Sequence, residues 1–387
     1  MLNKQRMVDT FLQLVQIDSP SGKEREVVNF LYSLLKSELG AVMDIATDDG
    51  VFSRHKNYSD AGNIIAKITT GKRGGMLPLL LSAHMDTVGP SKGIKPVIRG
   101  DIITSDGTTI LGADDKAGIA VVLEVVRTMK EENMWVDIEV VFTVCEEIGL
   151  LGAKNLGFNL LSNSGIVIDG AGEPTKIVNK APAAATFEFV IYGREAHAGR
   201  CPEEGINAIA IAAKAIAQMD HGRIDEETTV NIGRIEGGIA SNIVPHICRF
   251  RGGARSHDDQ KLEAQLANIL NSVRDAVSER QVTVDGQTYH ARFDFEKKNS
   301  YPKLVISADA YIISLMKKAA QKLGQRCELA ASGGGSDANI FAQRGIETVV
   351  VSAGMHNIHT REEYLDTNQM FRAAELVFQT VVLHRES

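Results

Sequence analysis

Cysteine is scarce in this sequence: four residues in 387, Cys145, Cys201, Cys248 and Cys327, stand far apart and form no CxxC pair. That excludes a thiolate zinc finger and a disulfide-stapled secreted scaffold, and it reads as reduced thiols inside a cell. Long apolar runs are missing too, since no window approaches the roughly 18 residues of a membrane span. The N-terminal MLNKQRMVDTFLQLVQIDSP has a helical apolar rhythm (Val8, Phe11, Leu12, Val15) broken by charges. It lacks the apolar core of a secretory signal, so the expectation is a soluble cytoplasmic protein with no membrane partner. No basic block interrupts the formal charge of −7, which argues against nucleic acid as a partner. No GxGxxG follows a strand, and the glycine-rich SGGGSDAN at 332–339 lacks the Lys–Ser/Thr of a phosphate loop. Repeats and low-complexity tracts are absent.

What remains is a globular composition, 44% hydrophobic and 24% charged, in a chain long enough for two domains. Ser21-x-x-Glu24 has the form of a capping box before the apolar repeat from Val27 to Leu35. NIIAKI (63–68), LPLLLSAH (77–84), VDIEVVFTVC (136–145) and GIVID (165–169) read as strands, and AGIAVVLEVVRTMK (117–130) as a buried helix. Alternating strands and helices predict an α/β domain with a mostly parallel sheet covered on both faces. Its ligand site belongs beyond the carboxyl ends of the strands.

The rhythm changes after residue 181. Strand, helix, two strands, helix and strand follow, from AATFEFVIYG (184–193) to YHARFDFEKK (289–298). This is the order of a ferredoxin-like α+β unit. The α/β pattern then resumes. The expected organisation is one discontinuous domain, residues 1–181 and 301–387, with residues 182–300 inserted as a lid and dimerisation domain.

Chemistry gathers where the strands of the larger domain end. LLLSAHMD ends in His84 and Asp86, VVFTVCEE in Glu146 and Glu147, and GIVID in Asp169. ETVVVSAG leads to His359, and LGADDKAG opens the apolar helix with Asp114 and Asp115. Singly these are ordinary: a His-x-Asp is usually a surface pair, Glu-Glu is common on solvated faces, and Asp-Asp caps helices. Together they place several carboxylates at one rim, where they would repel one another unless divalent cations intervened. Imidazole and carboxylate donors without thiolate suit Zn²⁺, with Mn²⁺ or Co²⁺ as alternatives. Asp114 can bridge two ions, with His84 and Asp169 on one and Glu147 and His359 on the other. Asp86, on the same strand face as His84, can accept the proton of the other imidazole nitrogen. Glu146 is the candidate general base for the attacking water. His55, His221, His246, His257, His290 and His356 read as structural or surface residues.

The segments SAHMDTV, LGADDKAG, CEEIGLLGA, IDG, GREAHAG and SGGGSDAN, in that order, resemble the aminoacylase/carboxypeptidase family of co-catalytic zinc metallopeptidases, M20-type, and within it the peptidase T branch. The resemblance runs over essentially the whole chain. It implies the zinc-exopeptidase fold, metal ligands at His84, Asp114, Glu147, Asp169 and His359, Asp86 behind His84, and Glu146 as base. It also implies a cis peptide after Asp114. In the inserted domain it implies that His197 stabilises the oxyanion, often from a partner subunit, and that Asn242 and Arg255 grip a substrate carboxylate. His359 is preferred to His356 because His-Thr-x-x-Glu follows the family spacing, and Asp337 is expected to cap a helix. FLQLVQIDSPSGKE lacks the Arg-Tyr pattern of peptidase T and is similar to general members of the family. The expected function is a dinuclear exopeptidase acting on short peptides as a homodimer, in the manner of a tripeptide aminopeptidase. The alternatives are an N-acyl amino acid hydrolase or carboxypeptidase of the same family and, from another class, a non-catalytic metal-binding scaffold.

Overall fold

Leu79–His84 is buried at every position, as a strand is when both faces of its sheet are covered. In the computed structural model, which describes residues 1–54, 58–69, 77–157 and 159–387, this strand runs parallel between Ile138–Thr143 and Ser164–Ala171. Ser164–Ala171 continues parallel to Glu347–His356. His55 lies outside the described residues.

These four strands are the parallel centre of the larger sheet, and the strands flanking them on either side pair antiparallel, while Lys176–Ala181 and Glu328–Ala331 add a parallel pair beside Glu347–His356. Asn63–Ile68 pairs with Ile138–Thr143 and with Asp44–Asp48 on one side. On the other, Tyr364–Asp366 links Glu347–His356 to the hairpin Pro96–Arg99/Ile102–Ser105. The sheet is therefore mixed. Helix Ala113–Glu131 is buried from Ala113 to Met129 and packs on the central strands. Its N-terminus thus falls at their carboxyl ends.

The chain divides into two compact units, Met1–Ala181 with Leu304–Ser387, and Pro182–Lys303. The second unit has strand Ala183–Tyr192, helix Ala208–Gln218, strands Thr228–Gly237 and Ile247–Ser256, helix Asp259–Ser278 and strand Arg292–Tyr301. Across its antiparallel sheet these strands stand in the order second, third, first, fourth, the ferredoxin-like arrangement. Phe189 stacks on Phe250 and Phe295, at 5.1 and 4.7 Å between ring centroids, in the core beneath the helices. A hairpin absent from the sequence reading, Gln281–Val284 with Gln287–His290, turns on Asp285 and Gly286, both at positive φ.

Two local readings change. The helix after Ser21-x-x-Glu24 begins at Arg25 and has no side-chain cap, so the capping box is not formed; both side chains serve elsewhere. Asp337 is not a cap either. Ser336 caps helix Asp337–Gln343 in a reciprocal box with Asn339, and the Asp337 carboxylate accepts the Thr143 hydroxyl. No helix among the described residues is long and apolar enough to cross a membrane.

Candidate metal centre

The site is built from strand ends and the loops that follow them. The His84 Nε2 atom lies 3.1 Å from Asp114 Oδ1 and 3.7 Å from Asp169 Oδ1. The other oxygen of Asp114 lies 3.1 Å from His359 Nε2, which is 2.9 Å from Glu147 Oε1. Three groups therefore offer donor atoms within 4.8 Å of one another: His84, Asp114 and Asp169; Asp114, Glu147 and His359; and His84, Glu146 and Glu147. His356 is elsewhere, with Nε2 2.8 Å from Gln369 Oε1 and its ring stacked on Tyr364.

Asp86 differs from expectation. The nearest acceptor to His84 Nδ1 is the Asp86 backbone carbonyl, at 2.9 Å, with the carboxylate 3.5 Å away. The carboxylate accepts the backbone N–H groups of Glu146 and Glu147, at 2.9 and 3.2 Å, and the Ser21 hydroxyl at 2.7 Å. The strand ends at His84, so Asp86 lies just beyond it, and its carbonyl lies closer to the ring than its carboxylate. The peptide between Asp114 and Asp115 is cis. Asp115 points away from the cluster and accepts the N–H groups of His84 and Gly118, each at 3.1 Å.

The electrostatics express crowding. Burial opposes charge on His84, but hydrogen bonds to Asp114, Asp169 and Asp86 outweigh it and hold its proton well above the usual imidazole range. Hydrogen bonds to Asp114 and Glu147 raise His359 to about 10. Asp114 is opposed by burial yet held below the carboxylate range by those imidazoles. Burial, with the charges of Asp114 and Glu147, lifts Asp169 to about 7. Burial also pushes Glu146 well up, with Asp169, Asp337 and Glu147 adding to it against His84. Among the described residues, the ion pairs of Asp114, Glu147 and Asp169 are all with His84 or His359. Opposed carboxylates with only imidazoles between them are a donor set that fits a pair of divalent cations.

Sequence reasoning overlooked three supports. Glu363, fully buried, accepts the N–H groups of Leu111, Gly112 and Asp114 at 2.7, 2.8 and 3.1 Å. It braces the loop that leads into the helix; the helical path is broken at Asp114 and Asp115, and Asp115 itself takes the Gly118 N–H as an N-cap does. Ser21 and Glu24 are the others, and a polar motif ahead of a helix that never uses it was their only signal. In the second unit His197, Asn242 and Arg255 are exposed. His197 and Asn242 lie on adjacent segments, where Ala198 N–H donates to the Asn242 carbonyl at 3.0 Å, and Arg255 is on the strand Ile247–Ser256.

Residues 80–382 match peptidase family M20/M25/M40. The chain is 40% identical to an uncharacterised Bacillus subtilis protein, YqjE, covering 97% of this chain and 98% of that one. It is similar in structure to a tripeptidase from Staphylococcus aureus (34% identity, TM-score 0.89) and to the aminopeptidase PepT from Bacillus cereus (39%, TM-score 0.84), each covering the whole of both chains. The family is metal-dependent, and the cluster at the sheet's carboxyl edge offers donors that could hold a metal ion. The chain belongs to peptidase family M20/M25/M40 and is a hydrolase of the metallopeptidase class.

Proposed function

We propose that this protein is a dinuclear exopeptidase that removes the N-terminal residue of short peptides, tripeptides foremost. One observation carries the reading: the two oxygens of Asp114 each lie 3.1 Å from a different imidazole, the arrangement of a carboxylate shared by two cations. His84 and Asp169 would hold one ion, Glu147 and His359 the other. Zinc suits these donors, with manganese or cobalt as substitutes. When bound, the ions supply Lewis acidity, polarising the scissile carbonyl and making water acidic. Glu146 takes one proton from the attacking water as its oxygen bonds to the carbonyl carbon. It returns that proton to the nitrogen as the C–N bond breaks. This reading assigns His197 to the developing oxyanion, and Asn242 and Arg255 to the substrate.

The inserted unit is proposed to pair two copies of the chain. Helix Ala208–Gln218 leaves Ile209, Ala210, Ala213 and Ala217 exposed, with Lys214 at the edge of that face; this apolar strip supports the pairing, and light scattering on the purified protein tests it. A cytoplasmic location accords with the peptide substrate.

The deciding experiment offers tripeptides, dipeptides and N-acetyl amino acids to metal-stripped protein reloaded with zinc, manganese or cobalt. Release of the first residue from tripeptides, blocked by N-acetylation, is the expected result. Preference for N-acyl amino acids, or release of C-terminal residues, would replace it with the corresponding activity of the same family. No turnover with both ions bound would make the protein a metal-binding scaffold.

A further inference from the structure

We infer that the N-terminal segment Ser21–Glu24 is a positioning device for the turn Cys145–Glu147, and that Glu24 is its principal residue. The inference rests on the assignment of Glu146 as base and Glu147 as ligand.

Three consecutive backbone N–H groups at this turn end on two buried carboxylates. Cys145 N–H donates to Glu24 Oε1 at 3.0 Å, Glu146 N–H to Asp86 Oδ1 at 2.9 Å, and Glu147 N–H to Asp86 Oδ2 at 3.2 Å. Both carboxylates are in turn held by one short stretch of chain. The Ser21 hydroxyl donates to Asp86 at 2.7 Å, and Gly22 N–H donates to Glu24 at 2.9 Å. Backbone bonds fasten that stretch to the strand end carrying His84. Ser21 N–H donates to the Thr87 carbonyl and Thr87 N–H to the Ser19 carbonyl, at 3.3 and 3.0 Å, and the Ser19 hydroxyl reaches the Met85 carbonyl.

The turn needs such support. Cys145 has φ +54°, a left-handed conformation that a residue with a Cβ adopts only at a cost. It directly precedes the base, so relaxation at Cys145 would swing Glu146 and Glu147 together. Glu24 opposes relaxation at two points, taking the Cys145 thiol at 3.2 Å as well as its N–H. The Ser-x-x-Glu pattern, which would normally be spent on a helix start, is spent on the site instead.

Two variants separate reach from charge. Glu24→Asp keeps the charge but shortens the side chain by a methylene, so it loses the Cys145 N–H. Glu24→Gln keeps an oxygen at the same reach without the charge. The inference predicts that Glu24→Asp lowers kcat by about 10- to 100-fold, with KM little changed, as expected of a displaced catalytic group. Glu24→Gln should stay close to the wild type. Adding Cys145→Gly to Glu24→Asp should recover most of the loss, because glycine adopts positive φ without support. The visible bands of the Co²⁺-loaded protein give a readout independent of turnover: they should shift in Glu24→Asp and return in the double variant. Unchanged bands in Glu24→Asp, a Glu24→Gln defect matching Glu24→Asp, or no recovery with Cys145→Gly would overturn the inference. If the wild type cleaves no peptide, the functional reading fails, and the cobalt bands alone still decide the positioning role.

Discussion

On the open face of the inserted unit's sheet, Glu188 lies between Arg249 and Arg251, at 3.0 and 2.6 Å. At the carboxyl edge of the larger sheet, Asp114 lies between His84 and His359 at 3.1 Å each. The two arrangements look alike on paper, a carboxylate between two cationic groups. They differ in water. Glu188 is 22% exposed and its two arginines 48% and 53%, whereas Asp114 is 6% exposed and His84 2%, with only His359, at 49%, reaching water. Charges that keep their hydration interact weakly and can be exchanged at small cost. Desolvated charges cost several kcal/mol each unless something pairs with them. Asp86, Asp114 and Glu363 each have partners in place, while Glu24 Oε2 and Asp337 Oδ1 have none among the described residues. Burial, more than the density of charge, separates a functional cluster from a decorated surface.

The comparison is broken most severely at Glu146. Glu146→Gln keeps size and polarity but cannot take a proton, and kcat should fall by about 10²–10⁴-fold with metal content unchanged. Full activity with normal metal content would remove Glu146 from the chemistry. Next comes Glu363, which accepts backbone N–H groups and so holds the loop of Asp114. Glu363→Gln sets an N–H₂ group against backbone donors, and metal affinity measured by titration should weaken by about 10- to 100-fold. An unaltered affinity would show that the loop needs no clamp.

A buried ionisable group remote from the site sharpens the contrast further. His384 is buried, with Nε2 3.1 Å from the Leu77 carbonyl and Nδ1 2.9 Å from the Tyr311 hydroxyl, and burial lowers its pKa. The unfolded chain therefore binds the proton more readily than the folded one. Its stabilising contribution is complete above the ordinary imidazole pKa of about 6.5 and is lost as pH falls through the depressed folded value. Thermal midpoints between pH 7.5 and 5 should fall more steeply for the wild type than for His384→Gln; parallel slopes would contradict this. The smallest effect belongs to the open face. Glu188→Gln should leave turnover unchanged and move the thermal midpoint by less than about 2 °C; a large loss would mean that this ladder is not merely solvated charge.

How much of this was legible depended on distance along the chain. His84, Glu146, Glu147 and Asp169 stood at the ends of apolar runs, and a parallel sheet brings such ends together. The ferredoxin-like order was equally local, each strand and helix announcing itself by its own periodicity. The antiparallel flanks of the larger sheet were not, because a strand's alternation says nothing about the direction of its neighbour. Ser21 and Glu24 misled for the same reason. A Ser-x-x-Glu pattern before a helix describes a bond within three residues, whereas Glu24 bonds Cys145, 121 positions away. Asp86 was placed near His84 by its spacing, but spacing could not rank its carboxylate against its own carbonyl. Glu363 was visible as part of His-Thr-x-x-Glu, yet its three partners are backbone groups that no pattern of side chains records.

The account turns on Asp114 serving two ions at once, and calorimetric titration of metal-stripped protein with Zn²⁺ addresses that directly. It predicts two ions per chain in the wild type, one in His359→Ala, and weakened binding of both in Asp114→Asn. A single ion in the wild type, or an Asp114→Asn variant that binds two ions with wild-type affinity, would contradict it.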